Sequence, residues 1–366
     1  MSEDALSLKR VDYLEFYVGN ARQSAQFYRQ CMGFDIVARK GLETGCRDRT
    51  SYLLQQGDIR FVLTTALSPN HEISMHHSLH GDAVKAIALE VRSVDEVMRE
   101  VEKRGADILQ QPHYLEDKDG AESAVKVGEI AYAGDLVFRF VEREKYNGLF
   151  EPMYSPQDEK AVFRPGLKSI DHVVTNVNLG EMNRYVSWFE NILGFRNLYH
   201  FTDKDISTEY SALMSKVMEN GERNLKLPIN EPAEGKRKSQ IAEYLDYNLG
   251  SGVQHIAMVS DDICHTVRTL KEHGTKFLSI PSNYYDSLKE RVPEVASQVK
   301  ELQELGILAD KDDEGHLLQI FSGLMQDRPT LFMEVIQRCG SLGFGHGNFK
   351  ALFVAIEQAQ ATRGNL

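Results

Sequence analysis

The sequence predicts an α+β fold of four βαβββ-like modules, arranged as two domains and followed by a C-terminal helix. Its 366 residues are about the length of two ordinary domains. Residues 170–340 repeat residues 11–143 in outline. Within each copy, a strand followed by a helix occurs twice, with β-rich segments between and after the pairs. This order favours two similar domains, each containing two modules.

The elements follow the same order in both copies. In the first copy, strands at 11–18 and 86–91 precede helices at 21–32 and 94–105. In the second, strands at 170–177 and 255–259 precede helices at 182–193 and 263–274. Gly33 and Gly194 follow the last apolar turn of the first helix in each copy, a common way for a helix to end. Further strands are expected at 51–55, 60–65, 213–217 and 224–228.

The segment between the copies predicts a linker. We assign residues 1–150 to the N-terminal domain, 151–166 to the linker and 167–366 to the C-terminal domain, because the linker contains three prolines and no clear period. An additional charged helix is expected at 293–305, since Pro293 suits a first helical turn and Gly306 an end. A final amphipathic helix is expected from 350 to about 361.

Composition excludes several classes of partner. The net charge of −12 argues against nucleic acid and anionic membranes. No apolar run approaches the ~20 residues that span a bilayer, and the start, Met1-Ser2-Glu3-Asp4, carries no basic-then-apolar signal. The four cysteines are too scattered for a disulfide framework or a thiolate cluster. We therefore expect a cytoplasmic protein.

The two copies differ at three matched positions. When the two copies are aligned, Val11-Asp12-Tyr13 matches Ile170-Asp171-His172, so Tyr13 corresponds to His172. By the same alignment Ala86 corresponds to His255, and Arg139 to Glu334. The second copy therefore has two histidines and a glutamate within apolar strand sequence where the first has none. One half is expected to be scaffold and the other to contain the working site.

These three residues indicate a metal site. A buried carboxylate such as Glu334 needs a cation, a donor or a proton, and a metal would satisfy it together with both imidazoles. Two histidines and one carboxylate form the facial triad that holds Fe(II) with positions left open. Zinc is the chemical competitor for such a set. The plainer alternative is that each histidine has a backbone partner in the core and that Glu334 pairs with Arg338.

Longer motifs connect the chain with a known family. The most specific stretches are Leu227-Pro228-Ile229-Asn230-Glu231-Pro232, Lys238-Ser239-Gln240-Ile241, Gly252-Val253-Gln254-His255-Ile256-Ala257, Leu317-Leu318-Gln319-Ile320-Phe321, Asp327-Arg328-Pro329-Thr330, Glu334-Val335-Ile336-Gln337-Arg338 and the closing Gly343-Phe344-Gly345 with Gly347-Asn348-Phe349. In content and order they resemble the 4-hydroxyphenylpyruvate dioxygenase family over nearly the whole length.

The resemblance implies a fold and a set of site residues. The family belongs to the vicinal-oxygen-chelate group, in which each domain is a curved open β-barrel with helices outside. Its metal ligands fall on His172, His255 and Glu334, with Fe(II) as cofactor. Polar catalytic positions fall on Ser215, Asn230, Gln240, Gln254 and Gln319. Substrate contacts fall on Pro228, Phe321, Phe332, Phe344, Asn348 and Phe349.

The resemblance also implies a reaction. The substrate would be an aromatic α-keto acid, with O₂ as co-substrate, and oxidative decarboxylation, ring hydroxylation and side-chain migration would give homogentisate and CO₂. A homodimer or homotetramer is expected, with the C-terminal helix as a lid. The alternatives are benzylic hydroxylation of the same substrate by a hydroxymandelate synthase, an extradiol ring-cleaving dioxygenase, and a binding or resistance protein of the same fold group.

Overall fold

The computed structural model describes residues 6–117, 120, 122–201, 212–233 and 235–365. The first residues of the chain, on which the expectation about a targeting signal rests, lie outside this part. The strands are β1 (Leu8–Tyr17), β2 (Asp35–Lys40), β3 (Arg49–Gln56), β4 (Ile59–Ala66), β5 (Ala83–Val91), β6 (Ile108–Glu116), β7 (Glu122–Ala131), β8 (Val137–Glu142), β9 (Ser155–Glu159), β10 (Leu167–Asn176), β11 (Arg196–Phe201), β12 (Ala212–Glu219), β13 (Lys226–Ala233), β14 (Gly252–Ser260), β15 (Leu308–Lys311), β16 (His316–Leu324) and β17 (Phe332–Cys339).

The helices lie between these strands and after the last of them. They are α1 (Ala21–Met32), α2 (Glu72–His80), α3 (Val94–Lys103), α4 (Met182–Trp188), α5 (Gln240–Asn248), α6 (Ile263–Glu272), α7 (Leu288–Arg291), α8 (Val299–Leu305) and α9 (Phe349–Thr362). A π-helical turn, Phe189–Leu193, continues α4 up to Gly194. None of the described helices is both long and apolar enough to cross a membrane.

The strands form two sheets with the same internal plan. The first has the order β6-β7-β8-β5-β1-β4-β3-β2-β9, and the second β11-β12-β13-β10-β14-β17-β16-β15. In every module the first strand pairs in parallel with the last, as β1 does with β4 and β14 with β17. Antiparallel pairing of β1 with β5, and of β10 with β14, joins the two modules of each sheet. The prediction of four βαβββ modules in two domains is confirmed.

Each sheet curls around a cavity. Side chains from β10, β12, β13, β14, β16 and β17 line one common cavity in the second sheet. Side chains from β1, β3, β4, β6, β7 and β8 do the same in the first. Strands so far apart in the sheet order can share a cavity only if the sheet is strongly curved. The expected open barrels are therefore present.

Two local predictions need correction. Residues 155–159 of the predicted linker form β9, which pairs with β2 and so extends the first sheet. Pro156 is tolerated there because an edge strand does not need every N–H for the ladder. The predicted helix at 293–305 is broken into a 3₁₀ turn, Pro293–Val295, and the separate α8. The four cysteines are free thiols, in agreement with the absence of a predicted disulfide framework.

Candidate metal centre and substrate cavity

Strand register places the three predicted ligands together. His172 on β10 lies opposite Ala257 on β14, and Ala257 lies opposite Glu334 on β17. His255 precedes Ala257 by two residues and so points to the same face of the sheet. The local fold therefore directs all three side chains to the concave side of three adjacent strands.

The metal-binding atoms converge on a small volume. Oε2 of Glu334 lies 3.2 Å from Nε2 of His172 and 3.4 Å from Nε2 of His255. All three ligand atoms are within 4.8 Å of one another. The Glu334 side chain is only 4% exposed. A carboxylate this buried, with two imidazole nitrogens beside it, fits the donor set of a divalent cation.

The Nδ1 atom of each imidazole, which faces away from Glu334, is hydrogen-bonded to a side chain. Nδ1 of His172 donates to Oδ2 of Asp171 at 2.7 Å. Nδ1 of His255 donates to Oε1 of Gln254 at 2.9 Å. With the protons on Nδ1, both Nε2 lone pairs face the same point as Glu334. Such second contacts fix the tautomer and ring orientation of metal-binding histidines.

Arg338 completes the support of His172. Its Nε and Nη2 donate to the two carboxylate oxygens of Asp171 at 2.7 and 2.8 Å. It also donates to the backbone carbonyl of Gly343 at 2.7 Å. Arg338 therefore pairs with Asp171, and the alternative in which it pairs with Glu334 is wrong.

The charges of the site are mutually stabilised. Burial alone would raise the pKa of Asp171, but Arg338 and His172 hold it well below its usual value. Burial likewise would raise the pKa of Glu334, but the two imidazoles lower it. Burial lowers the pKa of His255. Burial alone would also lower the pKa of His172, but Glu334 and Asp171 raise it. An ionised carboxylate and a neutral imidazole are the forms that bind a metal.

The cavity above these ligands is mostly apolar. Among the predicted residues it is lined by Ser215, Pro228, Asn230, Gln240, Gln254, Gln319, Phe321, Phe332, Phe344 and Phe349, together with the three ligands. The Phe332 ring stacks on His255 with centroids 4.8 Å apart, and the Phe344 ring meets His172 edge-on at 5.1 Å. The cavity is also lined by apolar residues that the sequence motifs do not mark as site residues: Val174, Phe201, Leu213, Val217, Ile336, Leu352, Phe353 and Ile356.

Asn348 is the exception among the predicted substrate contacts. It does not belong to the cavity lining, and its Oδ1 accepts a 2.6 Å hydrogen bond from the Tyr284 hydroxyl. It precedes α9 directly and is fully buried. In this structure Asn348 joins the start of α9 to Tyr284, and its predicted contact with the substrate stays a prediction.

Helix α9 closes one side of the cavity. Phe349, Leu352, Phe353 and Ile356 project from it into the cavity. Its far end is tied to α5, because Arg363 donates to Glu243 at 2.7 Å. The helix is therefore held at both ends over the predicted ligands.

Two residues that support the site were missed as functional residues. Asp171 and Arg338 are part of the sequence motifs. Because neighbouring residues of a strand normally point to opposite faces, Asp171 was not expected to contact the ring of His172. The pairing of β10 with β14 is irregular between Ile170 and His172. This irregularity accompanies the contact between Asp171 and the neighbouring His172 ring, and an alternating pattern could not reveal it.

Comparison with known proteins agrees with this fold. The profile of the Glyoxalase/Bleomycin resistance protein/Dioxygenase superfamily matches residues 10–121 and 169–320. The 4-hydroxyphenylpyruvate dioxygenase of Danio rerio is 46% identical over 365 residues, covering 97% of this chain and 91% of the relative. That of Yarrowia lipolytica is 43% identical over 374 residues, covering 98% and 94%. The chain belongs to the 4-hydroxyphenylpyruvate dioxygenase family.

A solved structure gives the same picture of the dioxygenase fold. A triple mutant of 4-hydroxymandelate synthase from Streptomyces coelicolor superposes with a TM-score of 0.87 at 28% identity, covering 97% of this chain and all of that one. The family resemblance found in the motifs is confirmed. The lower identity to the synthase, compared with the dioxygenases, favours the family named above.

Proposed function

We propose that the protein is an Fe(II)-dependent dioxygenase that converts 4-hydroxyphenylpyruvate and O₂ to homogentisate and CO₂. The observation that carries the proposal is the cluster of His172, His255 and Glu334 at a cavity walled by phenylalanine rings. Proteins that carry this dioxygenase name are similar over nearly the whole chain. When bound, Fe(II) supplies a chelating position for the α-keto acid and the electrons that activate O₂.

The cavity suits an aromatic α-keto acid. Phe321, Phe332, Phe344 and Phe349 offer ring faces and edges for an aromatic substrate. Within the described part of the chain, no lysine or arginine lines the cavity. The substrate carboxylate therefore depends on the metal for charge compensation, and we expect substrate binding to require the metal.

Amide side chains are proposed to bind the polar end of the ring. Oε1 of Gln319 is buried without a hydrogen-bond partner among the described residues. The ionised keto acid has a single O–H donor, its phenol hydroxyl, which matches such an acceptor. Gln240, Asn230 and Ser215 line the same cavity and are the other candidates for this role. Gln254 instead holds His255 and acts as a positioning residue.

The two halves are proposed to have different tasks. Residues 167–366 contain all the proposed ligands and cavity residues, and residues 1–150 act as scaffold or assembly surface. A cytoplasmic homodimer or homotetramer remains our expectation. Changing Tyr13 would leave iron binding intact under this proposal, because Tyr13 belongs to the other sheet.

Product analysis tests the function directly. The purified protein is loaded with Fe(II) and given 4-hydroxyphenylpyruvate in air, with His255→Ala as the control. We expect equal amounts of homogentisate and CO₂, and neither with the variant. Hydroxymandelate as product would establish the synthase reaction instead. Turnover of catechol without turnover of the keto acid would identify a ring-cleaving enzyme.

Anaerobic mixing tests the metal role separately. Adding the keto acid to the Fe(II) protein without O₂ should produce a visible charge-transfer band if the substrate chelates iron. The band should be absent from His255→Ala at the same iron concentration. A wild-type protein that binds iron and shows no band would contradict chelation.

A further inference from the structure

A second group of metal-binding side chains lies away from the proposed catalytic centre. His76 and His80 are one turn apart on α2, with ring centroids 4.4 Å from each other. Asp135 lies in the turn between β7 and β8. One ligand atom from each of the three lies within 4.8 Å of the others. Two histidines at i and i+4 on a helix present both imidazoles on one face.

The hydrogen bonds of His80 turn its Nε2 toward the carboxylate of Asp135. Its Nδ1 lies 2.5 Å from the backbone carbonyl of Asn248, which can only accept, so Nδ1 carries a proton. In the neutral ring, Nε2 then offers a lone pair. That nitrogen lies 2.9 Å from Oδ2 of Asp135. A lone pair facing a carboxylate requires a proton or a cation between them.

Unpartnered polar atoms surround the same spot. Nδ1 of His76 is buried without a hydrogen-bond partner among the described residues, and His76 is only 8% exposed. Oδ1 of Asn248 is also buried without one. Both residues line a cavity of about 10 Å³, together with His80 and Asp135. This volume holds about one water-sized sphere.

We propose that His76, His80 and Asp135 form a second site for a divalent transition metal of the zinc class. Ligand distances of about 2.0–2.2 Å require tetrahedral ligand atoms to be about 3.4 Å apart, so small side-chain rotations suffice.

The site would join the two halves of the protein. Helix α2 and the β7–β8 turn belong to the first half, and Asn248 ends α5 of the second. The opposite end of α5 begins with Gln240, a residue of the catalytic cavity. A metal here would therefore stabilise the junction that positions α5. This role does not depend on the identity of the catalytic reaction.

Zinc titration of the full-length chain tests the proposal. His255→Ala is used to weaken the first site, and bound zinc is measured by equilibrium dialysis. We expect one zinc per chain in this background. Adding Asp135→Asn, a change at a carboxylate that is 56% exposed, should weaken that zinc at least tenfold without unfolding the protein. Adding His76→Gln should do the same.

A neighbouring histidine provides the matched control. His77 lies on the same helix, is 38% exposed and faces Asp82. Adding His77→Gln should leave zinc affinity unchanged. Zinc should also raise the melting temperature of His255→Ala, and this shift should disappear with Asp135→Asn. Equal zinc affinity with and without Asp135→Asn, or no zinc and no thermal shift in His255→Ala, would overturn the proposal and leave an ordered water as the occupant.

Discussion

The guanidinium of Arg139 donates a 2.8 Å hydrogen bond to the hydroxyl of Tyr13. Tyr13 lies opposite Ala88, which lies opposite Arg139. His172 and Glu334 flank Ala257 in the same way in the second sheet. Equivalent backbone positions thus hold a hydrogen bond between a guanidinium and a tyrosine hydroxyl in the first sheet, and a candidate metal site in the second.

Arg139→Met should destabilise the first half. Arg139 pairs with Glu15 at 2.7 Å and Glu129 at 2.6 Å, and the change leaves two buried carboxylates without their cation. We expect the free energy of unfolding to fall by about 3–5 kcal/mol. Urea unfolding measures this loss, and iron bound per folded chain should not change. Loss of iron at unchanged stability would contradict the scaffold role.

The same variant should acquire a pH dependence. In the wild type, burial alone would raise the pKa of Glu15, but Arg139 lowers it. Without Arg139 burial dominates, so the folded-state pKa should exceed the unfolded one. Such a group destabilises the folded state as pH rises through this window. The loss of stability should therefore be larger at pH 8 than at pH 5, and an equal loss at both would argue against unpaired carboxylates.

Asp171→Asn should weaken metal binding while leaving the ligands in place. It removes the negative charge that orients and polarises His172 and that pairs with Arg338. We expect the dissociation constant for Fe(II) to rise by about 10–100-fold. Asp12→Asn is the matched control, because Asp12 pairs with Arg143 at 2.6 Å in the first half. An equal effect of both variants on iron would mean that general destabilisation is responsible.

Gly345→Ala should lower activity by disturbing the cavity, in addition to the stability that a left-handed alanine costs. Gly345 has a φ of 74°, and a Cβ there would overlap the amide of Gln319. Gly364→Ala is the control, since its φ is 75° and its Cβ would have open space. The left-handed conformation costs about 1–2 kcal/mol in each variant. Only Gly345→Ala should lower kcat/KM, by about tenfold or more, with iron retained. Equal kinetics in both would contradict a role for Gln319.

Arg363→Gln should loosen the C-terminal helix. It removes the ion pair with Glu243, whose side chain is 3% exposed. Hydrogen exchange in α9 should become faster and KM should rise, whereas saturating substrate should slow the exchange. Arg184→Gln serves as control, because Arg184 is 73% exposed and pairs only locally with Glu181. Unchanged exchange in α9 would show that other contacts hold the helix.

The repeat explains why much of the fold and site could be predicted from sequence. When the two copies are aligned, His172, His255 and Glu334 of the second copy correspond to Tyr13, Ala86 and Arg139 of the first. Strand register gives the same correspondence. The alignment succeeded because matched strands must keep their register to bury the same face.

Features that depend on long-range packing were not predictable. Helix α2 has no marked apolar stripe, so His76 and His80 were not recognised as neighbours. The Asp171 contact follows from an irregular register, and the position of Asn348 depends on the distant Tyr284. Such contacts have no period in the sequence, because they depend on segments that meet only in the folded chain.

The different charges at the equivalent positions of the two sheets, around Arg139 in the first and Glu334 in the second, have a consequence during biosynthesis. Arg139 forms ion pairs with both Glu15 and Glu129 within the first sheet. That half leaves the ribosome first, and we expect it to complete its packing without any external ion. Glu334 has imidazoles beside it in place of such a cation, so under the proposed function the later half should gain stability when its metal binds. Without its metal, the second half would then be the part of the protein that is more exposed to proteolysis.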